Sequence, residues 1–463
     1  MKYSVLLLAF VAFSAFPFLS DASSIKTGGD TTTNKQGANA FSQPAANLPI
    51  TERIDFSVGN SFFRNPWVSS PASTDARDGL GPLFNTNGCQ NCHIKDGRGH
   101  LPQPGDQNAV SLLIRLSIPA ITEAQKKQLI LTGNIPEPVY GGQLQDFALS
   151  GEKPEGRIEV DYEYHTETFK DGHVVTLRKP IIRIQDLNFG DMHPDTEMSA
   201  RIAPPMIGLG LLESIPDATL LDMAAAQQNA GEGVSGRPNY VWDVKQAKTV
   251  IGRFGWKAGQ PSLMQQNAAA FNGDLGLTSA MFPKENCSPS QDLCDRLPNG
   301  GEPEVSEKIL NFVEFYSQHL AVPMRRNIDD PRVIEGGALF EHAGCASCHQ
   351  SSLKTGDRKD RPALSHQLIH PYTDLLLHDM GEGLADNRGE FIANGREWRT
   401  APLWGLGYTA EVNGHTEYLH DGRARNEMEA ILWHGGEAQS SKQAVLGFNA
   451  QQRDALIAFL KSL

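Results

Sequence analysis

The pentapeptide Cys89-Gln90-Asn91-Cys92-His93 recurs once in the chain, as Cys345-Ala346-Ser347-Cys348-His349. In C-x-x-C-H, two thiols can add across the vinyl groups of a haem, and the adjoining histidine is carried under the iron as an axial ligand. Two intervening residues let one short helical turn reach both vinyls. The lead-ins recur as well. Gly81-Pro82-Leu83-Phe84-Asn85-Thr86-Asn87-Gly88 precedes the first copy and Gly337-Ala338-Leu339-Phe340-Glu341-His342-Ala343-Gly344 the second, with Gly, Leu, Phe and Gly in register. One copy could be a redox dithiol or half a zinc site, but two copies with matching flanks indicate duplication of one haem-binding unit. No C-x-x-C or H-x-x-x-H partner follows either copy, which argues against zinc. The sequence therefore implies two covalently bound haem c groups, held by Cys89, Cys92, His93, Cys345, Cys348 and His349.

A formal charge of −13 argues against a nucleic-acid binder, which would show basic clusters. An acidic surface suits docking to a small basic electron carrier, and equally suits plain solubility. Residues 1–22 read as a secretory signal peptide: Lys2, an apolar run from Val5 to Phe18, then Ser20-Asp21-Ala22 as a small-residue cleavage site. An uncleaved anchor is the alternative; after cleavage no stable membrane span is expected. Export agrees with the haem reading, and the expected location is the periplasm. Of six cysteines, Cys287 and Cys294 remain outside the two motifs. In an oxidising compartment they read as a disulfide closing a short loop, with a reactive thiol pair as the alternative.

Residues 23–48 are rich in Ser, Thr, Gly, Asn, Gln and Ala without an apolar period, and read as a disordered leader. The fold class expected for the rest is mainly α: two cytochrome c-like haem modules, at 49–330 and 331–463, with a β-hairpin-containing insertion in the first. That hairpin is signalled by alternation at Ile158, Val160, Tyr162 and Tyr164, a turn at Lys170-Asp171-Gly172-His173, and a return strand from Val174. The chain closes on a helix with Asn449 as N-cap and Ala455, Leu456, Phe459, Leu460 and Leu463 on one face. A second repeat accompanies the haem motifs: Arg201-Ile-Ala203-Pro204 resembles Arg399-Thr-Ala401-Pro402, each downstream of its own C-x-x-C-H. Arg98 is placed to pair with a haem propionate.

These paired units, the R-x-A-P segments and Tyr418-Leu-His420-Asp421-Gly422-Arg423 resemble the bacterial di-haem cytochrome c peroxidases and the di-haem enzymes that mature methylamine dehydrogenase. The closer resemblance is to the di-haem oxidoreductase family, often labelled thiol oxidoreductases. It rests on Ser199-Ala-Arg-Ile-Ala-Pro-Pro-Met-Ile-Gly-Leu-Gly-Leu-Leu-Glu213, Gly252-Arg-Phe-Gly-Trp256-Lys-Ala and Phe271-Asn-Gly-Asp274. The resemblance spans about Phe56 to Leu463 and implies a substrate-reactive N-terminal haem and a C-terminal haem that stores or relays an electron. Because both C-x-x-C pairs are taken by haem, only Cys287 and Cys294 would be left for dithiol chemistry.

In the peroxidases the sixth ligand of the C-terminal haem lies about four helical turns beyond H-D-G. The same distance from His420 lands on His434, so the resemblance implies His349/His434 ligation, with Met380 and Met428 as rivals. Histidine in place of methionine would lower the potential, because it stabilises ferric iron better than a thioether does. For the N-terminal haem the resemblance implies a distal Gln and an acidic residue that bind peroxide and shuttle a proton. Gln266 and Asp274 have those types at that spacing, with a polar turn as the other reading; Glu213 and His193 are weaker candidates. Trp256 and Trp433 are candidate stepping stones between haems, or core. Together these features imply a peroxidase-like di-haem oxidoreductase using a small-molecule substrate and a periplasmic electron donor such as a small cytochrome or cupredoxin. A non-catalytic di-haem electron-transfer cytochrome is the alternative.

Overall fold

Helical segments, several closed by side-chain caps, supply most of the regular structure, and strands pair only two at a time. The computed structural model describes residues 25–74, 76–103, 106 and 108–463, so the signal expected at 1–22 lies outside the described residues. The fold is α-rich with β-hairpin elements, and among the described residues every sheet is two-stranded.

The helices that frame the site are α1 (Arg53–Arg64), α2 (Cys89–Cys92), α3 (Leu263–Leu275), α4 (Glu307–Gln318), α5 (Pro331–His342), α6 (Glu427–Leu432) and α7 (Ala450–Ser462). The strands are β1 (Leu112–Ser117), β2 (Arg157–Thr168), β3 (Val174–Gln185), β4 (Glu197–Ile202), β5 (Leu377–Asp379) and β6 (Glu397–Arg399). In α1, Phe56, Gly59 and Phe63 fall on one face at helical spacing and bury against α4, where Tyr316 meets both phenyl rings. In β1 the period is two. Leu112, Ile114 and Leu116 are fully buried in the main core, which turns Leu113 and Arg115 the other way. Its partner β4 sets Arg201 opposite Leu113 and Ser199 opposite Arg115.

The hairpin expected over 157–185 is present as β2 and β3, paired from Arg157↔Gln185 to Thr168↔Val174. A two-stranded ribbon is marginal alone, and this one is held along its length by the C-terminal part of the chain. At its tip Phe169 is buried beneath the Arg453 guanidinium, and the Lys170 N–H donates to the Leu446 carbonyl. Asp171 pairs with Arg453, and Glu167 with Lys442. Nearer its middle, Arg178 pairs with Glu417 at 2.6 Å and donates to the Gly422 carbonyl. The hairpin is thus a clasp joining the two halves. The largest apolar cluster likewise draws on both, from Leu101 and Leu112 to Phe459 and Leu463, so two separately cored units are not distinguished.

Residues 25–48 correct the expectation of a disordered leader. Phe41, Ala45 and Leu48 are buried, the Ala45 N–H donates to the His319 carbonyl, and Thr33 bridges Pro323. The polar composition masked four buried apolar residues, Ala40, Phe41, Ala45 and Leu48, along an otherwise irregular strap.

The C-terminal helix forms as expected, with Asn449 and Gln452 in a reciprocal capping box and Ala455, Leu456, Phe459 and Leu460 buried. It crosses α5 where Gly336 has no side chain; a Cβ there would run into the Ala455 carbonyl. Gly336→Val is therefore expected to cost about 1–3 kcal/mol through overpacking, seen as a lower melting temperature. An unchanged melting temperature would mean that this crossing is not close-packed.

Candidate active site

The first anchor is a single helical turn, α2, followed by His93. The His93 Nδ1–H donates to the Pro204 carbonyl at 2.8 Å, since a carbonyl can only accept. That contact accounts for the first R-x-A-P segment: it delivers a carbonyl that fixes the ring and its tautomer, leaving the Nε2 lone pair for a metal. Enclosure holds the ring neutral, with its pKa lowered to about 4. Burial, aided by the charge of Asp274, pushes the Cys89 thiol up to about 12, and Cys92 moves the same way.

The second anchor repeats this chemistry. A 3-10 turn at Cys345–Ser347 leads to Cys348 and His349, whose Nδ1–H donates to the Tyr372 carbonyl at 2.9 Å. Burial raises Cys345 to about 12 and lowers His349 to about 4. His434, just past the end of α6, is close enough to His349 to disfavour its charge. Its own Nδ1–H donates to the Ala430 carbonyl at 2.7 Å, so it too keeps a bare Nε2. The three histidines expected to ligate iron all share this arrangement.

His93 opens into a cavity of ≈ 410 Å³. Its walls include Cys89, Cys92 and Arg98, the segment Arg201–Ile207, Arg253–Trp256, and the inner face of α3. Arg399, Ala401 and Pro402 line the same cavity. This departs from the expectation that each R-x-A-P segment serves its own motif: Tyr372 fills the carbonyl role at the second anchor, and the second segment is turned toward the first. Gln266 and Asp274 both face the cavity from α3. Eight residues of helix separate them by about 12 Å along the axis, so they stand toward opposite ends and do not converge on one atom. Asp274 Oδ1 accepts from Gln143 Nε2 at 2.9 Å, and burial raises the carboxyl against the pull of Arg115. The family model described as "Di-haem oxidoreductase, putative peroxidase" matches residues 21–463. This chain belongs to the di-haem oxidoreductase family. No curated protein matches it.

The family's description implies two haems, and the residues of this oxidoreductase fit them. Each anchor sets paired thiols beside a neutral histidine with Nε2 unengaged. Around the first cavity, Arg98 Nε, Arg201 Nη2 and Arg388 Nε are buried without a hydrogen-bond partner among the described residues, the kind of donor a haem carboxylate satisfies. Arg98, expected to serve a propionate, does line the cavity, while its guanidinium also lies over the Tyr418 ring.

Beside the first cavity stands a group of rings that sequence reasoning only partly anticipated. Trp256 lines the cavity and donates from Nε1 to the Ile202 carbonyl. His420 of the H-D-G loop stacks on Trp398 with centroids 3.7 Å apart, and Lys257 Nζ lies over that indole at 4.1 Å. Burial lowers His420 to about 4, so it is neutral near pH 7. Arg423 lies over Trp433, the neighbour of His434. The stack includes Trp398, which adjoins Arg399 and carried no separate signal in the sequence.

His378 was missed altogether. Its Nδ1 meets Glu437 at 2.8 Å and its Nε2 meets Asp374 at 2.9 Å, beside Cys348. Burial opposes its charge, but these acceptors outweigh it and raise the ring to about 12. The Cys348–Asp374–His378 grouping shares its thiol with the second C-x-x-C-H motif, so a haem joined at Cys348 would take that donor from the cluster. The weaker candidates fall away. Glu213 caps α3 through the Leu263 N–H and receives Gln318, and His193 is half-exposed near Asp195; neither lines the cavity.

Glu390 is the hinge of the cavity's electrostatics. Burial works against its charge, but Arg201, Arg388 and Arg115 outweigh it and hold the carboxyl at about 2. A depressed carboxyl contributes stability that is complete above its ordinary value near 4.5 and lost as pH falls toward 2. Glu390→Gln leaves the guanidiniums unpaired and is expected to cost about 3–5 kcal/mol at pH 7. The gap in melting temperature from the parent should narrow at pH 3; an equal gap at both pH values would show that the carboxylate charge is not what holds the cluster.

Proposed function

We propose that this protein is a periplasmic, peroxidase-like di-haem c-type oxidoreductase, in which a first haem at Cys89, Cys92 and His93 meets the substrate and a second at Cys345, Cys348 and His349 relays electrons. The observation that carries the reading is an asymmetry. His349 has a second histidine, His434, within electrostatic reach. His93 faces a cavity whose lining, among the described residues, contains no other histidine and one methionine, Met206, two residues past the carbonyl that holds His93. When bound, each haem supplies an iron that changes oxidation state by one electron. A firmly held pair of histidines suits relay with little reorganisation, and an open side suits reaction with peroxide or another small molecule.

The chain's own groups would then divide the work. His93 and His349 are held as neutral donors by the Pro204 and Tyr372 carbonyls. Asp274, raised by burial, can hold a proton at the carboxyl oxygen that Gln143 does not engage and pass it to a substrate oxygen. Gln266, at the other end of α3, would position the substrate instead of sharing that step. Trp256, His420 and Trp398, in mutual ring contact at the first cavity, and Trp433, next to His434, would serve as conjugated stepping stones between the haems. Residues 49–330 and 331–463 are read as the two haem-bearing units, and residues 1–22 as the export signal. The charge of −13 suits a small basic cytochrome or cupredoxin as electron donor.

Electron paramagnetic resonance of the oxidised protein, repeated after one-electron reduction, tests this. A high-spin ferric signal in one of the two states, altered by added peroxide, is expected. Two low-spin haems in both states, silent to peroxide, would make the protein an electron carrier. His434→Ala should convert the second haem from low to high spin; an unchanged spectrum would remove His434 as its ligand and bring Met380 or Met428 forward.

A further inference from the structure

The first cavity carries a charge that the protein as a whole does not. In a chain of net charge −13, its lining holds, among the described residues, six arginines and only two carboxylates, Asp274 and Glu390. Five of the six arginines are already engaged. Arg201 and Arg388 share Glu390, and Arg253 pairs with Asp217. Arg399 donates to the Gly255 and Thr400 carbonyls, and Arg98 donates to the Leu419 carbonyl over the Tyr418 ring. The sixth is Arg115. The alternation of β1 buries Ile114 and Leu116 in the core and turns Arg115, which lies between them, to the cavity side, where it is half-buried. Among the described residues its guanidinium makes no ion pair and no hydrogen bond; Asp274 and Glu390 act on it only at longer range. Arg201 stands close enough to repel it.

An unpaired guanidinium in an enclosed site costs free energy unless an anion completes it. A planar fork of five donors is suited to a carboxylate or a similar oxyanion. Two haem carboxylates would still leave guanidinium groups in excess of the acids in the lining.

We infer that the first cavity selects an anionic substrate, a small molecule bearing a carboxylate or comparable oxyanion, which seats on Arg115 beside Asp274. This rests on the proposed reading of the cavity as the reactive site and adds the class of molecule that enters it. A proton on Asp274 would complement such an anion, whereas a neutral peroxide alone would leave the guanidinium unanswered. The same fork could instead be met by a carboxylate of the haem itself, and the test separates the two sources.

Calorimetric titration of the holoprotein at pH 7 with formate and benzoate, against formamide and benzamide, reads the selection directly. The anions are expected to bind one per chain, at least tenfold more tightly than the neutral amides. Arg115→Gln should weaken anion binding at least tenfold while Arg115→Lys retains most of it, with the haem spectrum and melting temperature of both variants as in the parent. Equal affinity for anion and amide, or equal binding by parent and Arg115→Gln, overturns the inference. So does an Arg115→Gln protein whose haem spectrum shifts with no anion binding in the parent, which would assign Arg115 to a haem carboxylate. Arg115-dependent anion binding in a protein whose paramagnetic spectrum ignores peroxide would sink the peroxidase reading and leave the anion site standing.

Discussion

Everything at the two anchors depends on one modest contact, a backbone carbonyl accepting the Nδ1–H of a histidine. Pro204 supplies it to His93 and Tyr372 to His349. Such a bond contributes about 1 kcal/mol net to stability, yet it decides which nitrogen keeps its lone pair and where that lone pair points. A carbonyl is a rigid partner, and at the first anchor the ring of Pro204 locks φ while the following Pro205 restricts ψ, which narrows its direction. The long-range placement of residues 201–204 against residue 93 is what the β1–β4 ribbon secures, because Arg201 and Ile202 close its pairing with Leu113 and Leu112.

The same ribbon separates two environments by simple alternation. One face carries Leu112, Ile114 and Leu116 into the main core; the other carries Leu113 and Arg115 to the cavity, next to Ser199 and Arg201. Charges concentrated on that second face are balanced by residues that arrive from far along the chain. Glu390 receives Arg201 and Arg388, and Asp386 receives Lys257 and Ser199. Buried ionic networks of this kind add little stability over an apolar replacement, but removing one member is costly. Here the network also ties the C-terminal half to the wall of the first cavity.

Much of this was legible in the sequence, and the reasons for the remainder are physical. The two C-x-x-C-H segments stood out by spacing alone, and the structure gives each an enclosed histidine held by a backbone carbonyl. The hairpin and the capped C-terminal helix were legible because period and capping are local. The Cys287–Cys294 disulfide formed as the leftover cysteines suggested. The destination of Arg399–Pro402 was not legible, since a repeat shows kinship and not which partner a copy faces. The strap at 25–48 was misread because four apolar anchors without a period look like slack. Arg115, Glu390 and His378 were invisible for a common reason: their significance lies in which charges stand beside them, and each depends on at least one that is far off in sequence, Asp274 for Arg115, Arg201 for Glu390 and Glu437 for His378.

The first cavity takes its walls from Phe63 through Trp404. On the proposed export route it therefore has no closed form while the chain is being threaded through a membrane, N-terminus first. The clasp is made late as well, since Lys170 waits for Leu446 and Asp171 for Arg453. Contacts of such long sequence separation form slowly, because the loops they close must be ordered first. The first pair of cysteines thus emerges, and stays open to solvent and to whatever machinery attends it, well before the final helix docks. In a chain folded without haem the same thiols are pushed up by burial, which makes them poor nucleophiles. On the proposed reading the fold sets an order: a haem that joins Cys89 and Cys92 has to arrive before the cavity closes around them.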